Sequence, residues 1–337
     1  METLLGKHLP ELRDLVVADG YPRFVAQQLC EWLYKQGVAS FDAMTNLSKQ
    51  TRAKLSEKYL IGRESYLLVQ TSQDGTRKYL FPADAGRTVE AAMIPEVGRR
   101  TLCVSSQVGC RMGCQFCATG QQPWGGNLSA AQILNQILGV DERPELSNLV
   151  FMGMGEPLDN LDELLRALEV LTAPWGMAMS PRRITVSSIG VRRGLERFLR
   201  ESECHLAISL HSPFDEERRT LLPATSGFPL RELFSLLRTT NWRGQRKLSF
   251  EYVVLAGVND SPAHLEGLIK LLRGVPCLVN LISYHPHDGA MFERPKDTLL
   301  IKMRDKLNQA GILTTLRASR GMDIAAACGL LSKTQGS

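Results

Sequence analysis

Cys110, Cys114 and Cys117 stand four and three residues apart in the run Cys110-Arg111-Met112-Gly113-Cys114-Gln115-Phe116-Cys117, just downstream of a strand-like stretch. Three thiolates hold three irons of a [4Fe-4S] cluster, whereas a fully closed site takes four. One iron is then left open for a ligand. An open iron on a low-potential cluster binds and reductively cleaves S-adenosylmethionine, so the spacing points to radical chemistry. Zinc is the competing reading of a Cys-x-x-Cys pair, but a structural zinc wants a fourth ligand. No second Cys-x-x-Cys and no His-x-x-x-His accompanies this one.

Other polar residues follow strand-like runs further along. Gly153-Met154-Gly155-Glu156-Pro157 combines glycines, which let backbone approach a ligand, with a carboxylate suited to a cationic amine. Ser187, Ser209-Leu210-His211 and Asn280 occupy comparable places. Each has a plainer explanation: a glycine-rich turn is usually a turn, and strand-end serines and histidines usually satisfy local groups. Five polar positions converging on one rim are harder to explain that way.

The elements that must position these residues alternate. Beyond Arg100, strand-like runs at 102–104, 149–152, 184–187, 206–210, 250–255 and 278–282 are separated by apolar-periodic helices. Strand, helix, strand repeated in this way predicts a parallel α/β sheet or partial barrel of about six units, short of the eight that close a full barrel. In such barrels chemistry sits at the carboxyl ends of the strands. Before this core, short strands are expected at 66–69, 79–81 and 89–94 with a turn at Asp74-Gly75. The first sixty residues read as helical, with Pro22 opening and Gly37 closing one helix. The expected organisation is therefore a helical module at 1–60, a β extension at 61–100, a core at 101–330 and a polar tail at 331–337.

The chain has 337 residues, 44% of them hydrophobic, and no apolar run long enough to span a bilayer. No secretory signal opens it. Its eight cysteines sit in a chain far longer than a disulfide-stapled module. A reducing, cytoplasmic setting with no membrane partner is expected. A net charge of +5 permits an anionic partner without requiring one.

Several runs together resemble the RlmN/Cfr family of radical S-adenosylmethionine RNA methyltransferases over nearly the whole chain. They are Thr101-Leu102-Cys103-Val104-Ser105-Ser106-Gln107-Val108-Gly109-Cys110, the Gly-Met-Gly-Glu-Pro turn, Leu206 to His211, Glu251-Tyr252 through Asp260, and Arg320-Gly321-Met322-Asp323 through Cys328-Gly329. The likeness is greatest to the RlmN branch, which implies methylation of carbon 2 of adenosine 2503 in 23S rRNA and of adenosine 37 in certain tRNAs. The Cfr branch, acting on carbon 8 of the same rRNA adenosine, is the alternative, and a radical enzyme with a non-RNA substrate is another. The resemblance implies one [4Fe-4S] cluster on Cys110, Cys114 and Cys117. It also implies S-adenosylmethionine held by Gly155, Glu156, Ser187, Ser209, Leu210, His211 and Asn280.

It further implies that Cys328 carries a methyl group, that Cys103 is the resolving thiol forming a transient disulfide with it, and that Glu90 accepts a proton. Taken without the family, either cysteine could equally be a buried core thiol, and a strand glutamate is most often a solvated edge residue. Cys30, Cys204 and Cys277 match no catalytic position. The sequence departs from the commoner pattern after Asn280, reading Ile282-Ser283-Tyr284-His285-Pro286-His287. The implied partners are 23S rRNA, tRNA and an electron donor such as a flavodoxin-type reductase system, with the protein a monomer. Arg99-Arg100, Arg182-Arg183, Arg192-Arg193, Arg218-Arg219 and Arg243 with Arg246-Lys247 are candidates for phosphate contact, although most arginine pairs are simply solvated.

Overall fold

Three helices open the chain: α1 (Leu9–Ala18), α2 (Phe24–Cys30), which continues as a π-helical turn at Glu31–Gln36, and α3 (Lys49–Lys58). The computed structural model describes residues 1–242, 246–287 and 289–331. Pro22 precedes α2, and Gly37, at φ 65°, ends the π turn in the left-handed region that glycine adopts without a Cβ penalty. The orphan carbonyls of that turn are taken up by Arg143, which donates to the oxygens of Gln36 (2.8 Å) and Tyr34 (3.2 Å). Glu11 accepts from the His8 amide at 2.7 Å and pairs with Arg166 at 2.7 Å. These contacts fasten the helical module to the rest of the molecule.

A ten-stranded sheet forms the centre. In chain order its strands are β1 (Leu68–Thr71), β2 (Arg77–Ala83), β3 (Arg87–Glu96), β4 (Arg99–Cys103), β5 (Asn148–Phe151), β6 (Ile184–Ser188), β7 (His205–Ser209), β8 (Leu248–Val254), β9 (Cys277–Ser283) and β10 (Thr314–Arg317). They lie side by side in that order. β1 to β4 pair antiparallel, and β4 to β10 run parallel.

Helices connect the parallel strands: α4 (Ala130–Gly139), α5 (Leu161–Thr172), α6 (Arg192–Glu201), α7 (Asp215–Leu221), α8 (Leu230–Thr239), α9 (Pro262–Leu272) and α10 (Asp297–Gln309). Ser129 starts α4 with a capping box, its hydroxyl accepting from the Gln132 amide and the Gln132 side chain accepting from its own.

Alternation along the strands separates a core face from a polar one. In β8, Leu248, Phe250, Tyr252 and Val254 are buried, and Phe250 stacks on Phe234 of α8 at 5.3 Å. Ser249, Glu251 and Val253 point the other way and line interior cavities. The partial α/β barrel expected from the sequence is thus present, with all six predicted strands. A seventh, β10, extends it. Thr-Thr-Leu-Arg offers no apolar run, which is why its sequence does not announce a strand.

Candidate functional site

The cluster loop leaves β4 and returns through tight turns. Gly109 has φ 72°, and a Cβ there would stand 2.5 Å from the Pro123 carbonyl, so the chain closes only around a glycine. Cys117 donates its amide to Cys114 at 3.2 Å, and Gln115 to Leu221 at 3.1 Å. Cys110, Cys114 and Cys117 all line a cavity of about 150 Å³ at the carboxyl ends of the strands. Burial pushes the Cys110 thiol up to about 12 and raises the other two as well. Buried thiols of this kind ionise only beside compensating positive charge, which iron provides. Among the described residues no three His, Cys, Asp or Glu side chains converge on a single ion; a cluster instead asks each thiolate to meet its own iron.

The Gly-Met-Gly-Glu-Pro turn after β5 forms the facing wall. Met154 donates its amide to Ser105 Oγ at 2.8 Å and Glu156 donates its own to Gln107 Oε1 at 2.9 Å. A Cβ on Gly155 would lie 2.5 Å from that of Gln107, and one on Gly153 2.6 Å from Ser105 Oγ. Both glycines are therefore required by close approach to the β4 end. Glu156 is buried; its carboxylate accepts from the amides of Leu158 and Ile189, each at 3.0 Å. Burial still pushes its carboxyl up to about 7.

Ser187, Ser209 and His211 line the same cavity. His211, in the left-handed region at φ 57°, accepts from the Val253 amide through Nδ1 at 3.0 Å and packs edge-on against Phe116 at 4.7 Å. Burial lowers it to about 3, so the ring is neutral. Leu210 is buried behind this wall and contributes backbone only. Arg218, also buried, holds the rim together by donating to the carbonyls of Leu210, Ile189 and Ser209.

A second cavity of about 990 Å³ runs through the barrel interior, from Arg99, His205, Lys247 and Cys277 at the strand starts to Ser283 and Arg317 at their ends. Cys103 and Cys328 both line it, and Cys328 also lines the cluster-loop cavity. Cys103 packs on Ala326, two residues before Cys328. Burial, with Cys328 adding to it, pushes the Cys103 thiol up to about 12. Glu90 lies on the same sheet face: its neighbour but one, Ala92, pairs with Cys103 across β3 and β4. Its carboxylate forms a buried pair with Lys78 at 3.1 Å.

Residues 3–61 match the family described as ribosomal RNA large subunit methyltransferase N-terminal domain, and residues 104–272 match the radical SAM superfamily. A probable dual-specificity RNA methyltransferase RlmN from Porphyromonas gingivalis is 53% identical over 332 residues, which is 98% of this chain and 97% of that protein. The chain belongs to the RlmN family of radical SAM methyltransferases. A dual-specificity RNA methyltransferase RlmN from Syntrophobacter fumaroxidans is 42% identical over 96% of each chain. The crystal structure of a radical SAM methyltransferase from Sphaerobacter thermophilus superposes with a TM-score of 0.93 at 39% identity, covering 98% of this chain and 99% of that one. The resemblance read from the sequence is borne out.

Within this RlmN-family fold, two of the expected phosphate contacts are corrected. Arg218 is consumed inside the rim, and Arg246 is buried, donating to the carbonyls of Cys204 and Leu199 at 3.0 and 2.9 Å. Both guanidiniums satisfy strand and helix ends instead of facing solvent. Arg192 pairs with Glu232 and Glu196 on the surface. Arg99, Arg182, Arg183, Arg193, Arg219 and Lys247 are exposed, and Arg243 lies outside the described residues. Asn280 lines the wide cavity and donates to Glu251 at 2.8 Å, a residue that borders both cavities, as does His285 in the segment where the sequence departs from the common pattern. Sequence reading also missed Glu251, Arg317 and Lys78, since nothing in spacing tells an interior polar strand residue from an edge one.

Proposed function

We propose that this chain methylates carbon 2 of an adenosine in RNA, adenosine 2503 of 23S rRNA and adenosine 37 of tRNAs being the expected targets, through a methylated cysteine. The observation that carries this reading is the placement of Cys328 on the boundary of two cavities. One holds the three clustered thiols, and the other holds Cys103.

Carbon 2 of adenine lies between two ring nitrogens and is too electron-poor to attack a sulfonium methyl, so a carbon radical must be brought to it. Cys110, Cys114 and Cys117 would hold a [4Fe-4S] cluster with S-adenosylmethionine on its open iron, which together supply the electron and the hydrogen-abstracting radical. Gly155, Glu156, Ser187, Ser209 and His211, with the Leu210 backbone behind them, would line the cofactor's bed, His285 closing its rim. Asn280 would join them from β9, through its contact with Glu251 on the border of the two cavities. Cys328 would first accept a methyl group on sulfur and, after loss of a hydrogen atom from it, join that carbon to the base. Glu90, held by Lys78, would take the proton from carbon 2 of the adduct, and the adduct's unpaired electron would pass to a cluster bound at the three thiols as its acceptor. Cys103, as the thiolate, would then attack the Cys328 sulfur; the S–CH2 bond breaks, the departing carbon takes up a proton to become the methyl group, and a disulfide is left for a cellular reductant to open.

The exposed cations Arg99 and Lys247 at the strand starts, with Arg182 and Arg183 beside β6, suit an RNA backbone crossing the mouth of the wide cavity, with the target base turned inward. The helical module 1–60 would assist this grip, the extension 61–100 would wall the site, and the core 101–330 would carry the chemistry. A flavodoxin-type system as electron source, a monomeric state and a cytoplasmic location complete the reading. The described residues include no helix long and apolar enough to cross a membrane.

The test is an anaerobic reaction of cluster-reconstituted protein with S-adenosylmethionine, reductant and protein-free rRNA or tRNA, followed by mass spectrometry of the digested RNA. 2-Methyladenosine supports the proposal. 8-Methyladenosine assigns the alternative carbon, and deoxyadenosine without any methylated base removes RNA as the substrate.

A further inference from the structure

We propose that Glu251 recognises the exocyclic amino group of the target adenine, a step that rests on the adenosine reading above. Glu251 stands inside the barrel in one transverse row with Ser209, Asn280 and Thr315, set by the pairing of β7, β8, β9 and β10. It lines both cavities, as do Arg317 and Cys328.

Its two carboxylate oxygens are unlike. Oε1 accepts from Asn280 Nδ2 at 2.8 Å and from Ser249 Oγ at 3.1 Å. Asn280 is itself fixed, its Oδ1 accepting from Thr315 Oγ1 at 2.7 Å. Oε2 has no hydrogen-bond partner among the described residues, although Glu251 is only 4% exposed. The Arg317 guanidinium stands 3.7 Å away, outside hydrogen-bond length, and donates instead to Met152 Sδ at 3.0 Å. A buried acceptor held open by a fixed network is costly unless something else donates to it.

The Arg317 ion pair balances the charge of this oxygen but gives it no hydrogen bond, so its acceptor position is open to a donor that enters the cavity. A purine carrying an amino group at carbon 6 offers an N–H there, whereas guanine offers an oxygen lone pair. A carboxylate oxygen attracts the first and repels the second. The same contact would hold the ring by its Watson–Crick edge, on which carbon 2 also lies, one ring nitrogen from the carbon that bears the amino group, and so would present it at the boundary where Cys103 and Cys328 lie. Sites built around a polar group of the substrate reject analogues lacking it far more strongly than apolar pockets reject a missing methylene.

The test pairs Glu251→Gln, which replaces the open acceptor with a donor, against RNA stem-loops bearing adenosine or purine riboside at the target position. Wild-type protein is expected to methylate the adenosine RNA with a kcat/KM about 10- to 100-fold above the purine riboside RNA, the range of one hydrogen bond to a charged group. In E251Q that ratio collapses toward one. Cys328 methylation without RNA, read by intact-protein mass, and the melting temperature report the cofactor site and the fold separately. Equal wild-type rates on the two RNAs, or an equal loss on both in E251Q, overturn the proposal. Loss of Cys328 methylation in a folded E251Q also overturns it, placing the carboxylate on the cofactor. Wild-type protein that releases deoxyadenosine but methylates neither RNA overturns the adenosine reading itself.

Discussion

Asp74 accepts a 2.9 Å hydrogen bond from the amide of Gly321, 247 positions away in the chain. The bond joins the turn between β1 and β2 to the start of the segment that bears Cys328. Next to it, Asp323 accepts from the Gln73 amide at 3.1 Å and from the Ser72 hydroxyl. At the other end of the segment, Gly329 accepts from the Ala118 amide at 2.8 Å and Leu331 from the Thr119 hydroxyl. Cys328 is thus stapled on one side to the antiparallel extension and on the other to the cluster loop.

Removing the first staple should loosen the segment without melting the barrel. In Asp74→Ala and Asp323→Ala, amide hydrogen exchange over residues 320–328 is expected to speed up several-fold while the amides of β5 to β9 keep their protection. Cys328 methylation should slow in parallel, read by intact mass. Unchanged exchange in both variants would show that the turn does not hold the segment.

The two thiols should fail in opposite ways. On the proposed reaction, Cys328→Ala leaves no sulfur to carry the methyl group, so methylated RNA and methylated protein should both disappear. Cys103→Ala keeps that sulfur and loses the attacking one, so a protein–RNA adduct should accumulate, visible as a slowly migrating band on a denaturing gel and absent from C328A. Normal turnover in either variant would remove that cysteine, buried Cys103 or exposed Cys328, from the reaction.

How much of this was legible beforehand follows from what each signal depends on. The cluster loop announced itself because iron ligation fixes residue type and spacing together. β4 to β9 were legible because strands covered by helices read as apolar runs. β10 was not, since its interior face carries Thr315 and Arg317, polar because they line a cavity. For the same reason Glu251 looked like any strand glutamate. Arg218 and Arg246 misled in the opposite direction: paired basic residues suggested a phosphate surface, while the fold spends both on buried carbonyls.

Arg218→Met tests that use of a buried cation. Methionine fills similar space but leaves the carbonyls of Leu210, Ile189 and Ser209 without their donor. A destabilisation of about 2–4 kcal/mol is expected from unsatisfied buried acceptors, partly offset by relief from burying a charge. Urea denaturation would measure it. A variant as stable as the parent would mean that water replaces the guanidinium at this rim.

Glu156 gives the prediction with the sharpest dependence on pH. Burial pushes its carboxyl up to about 7, against the pull of the amides of Leu158 and Ile189. The folded, ligand-free protein therefore holds this proton more tightly than the unfolded chain, whose glutamates titrate near 4.3. The resulting stability is fully present below that value and is lost as pH rises toward 7. Binding of a ligand ammonium runs the other way, because it needs the ionised carboxylate. S-adenosylmethionine affinity should climb by up to about tenfold per pH unit below 7 and level off above it. Glu156→Gln should bind weakly at every pH and should lose both slopes, in calorimetric titrations from pH 6 to 8 and in melting curves of the cofactor-free protein from pH 5 to 7.5. A wild-type affinity that stays flat across this range would show that Glu156 is ionised throughout and that its hydrogen bonds, not its burial, decide its charge.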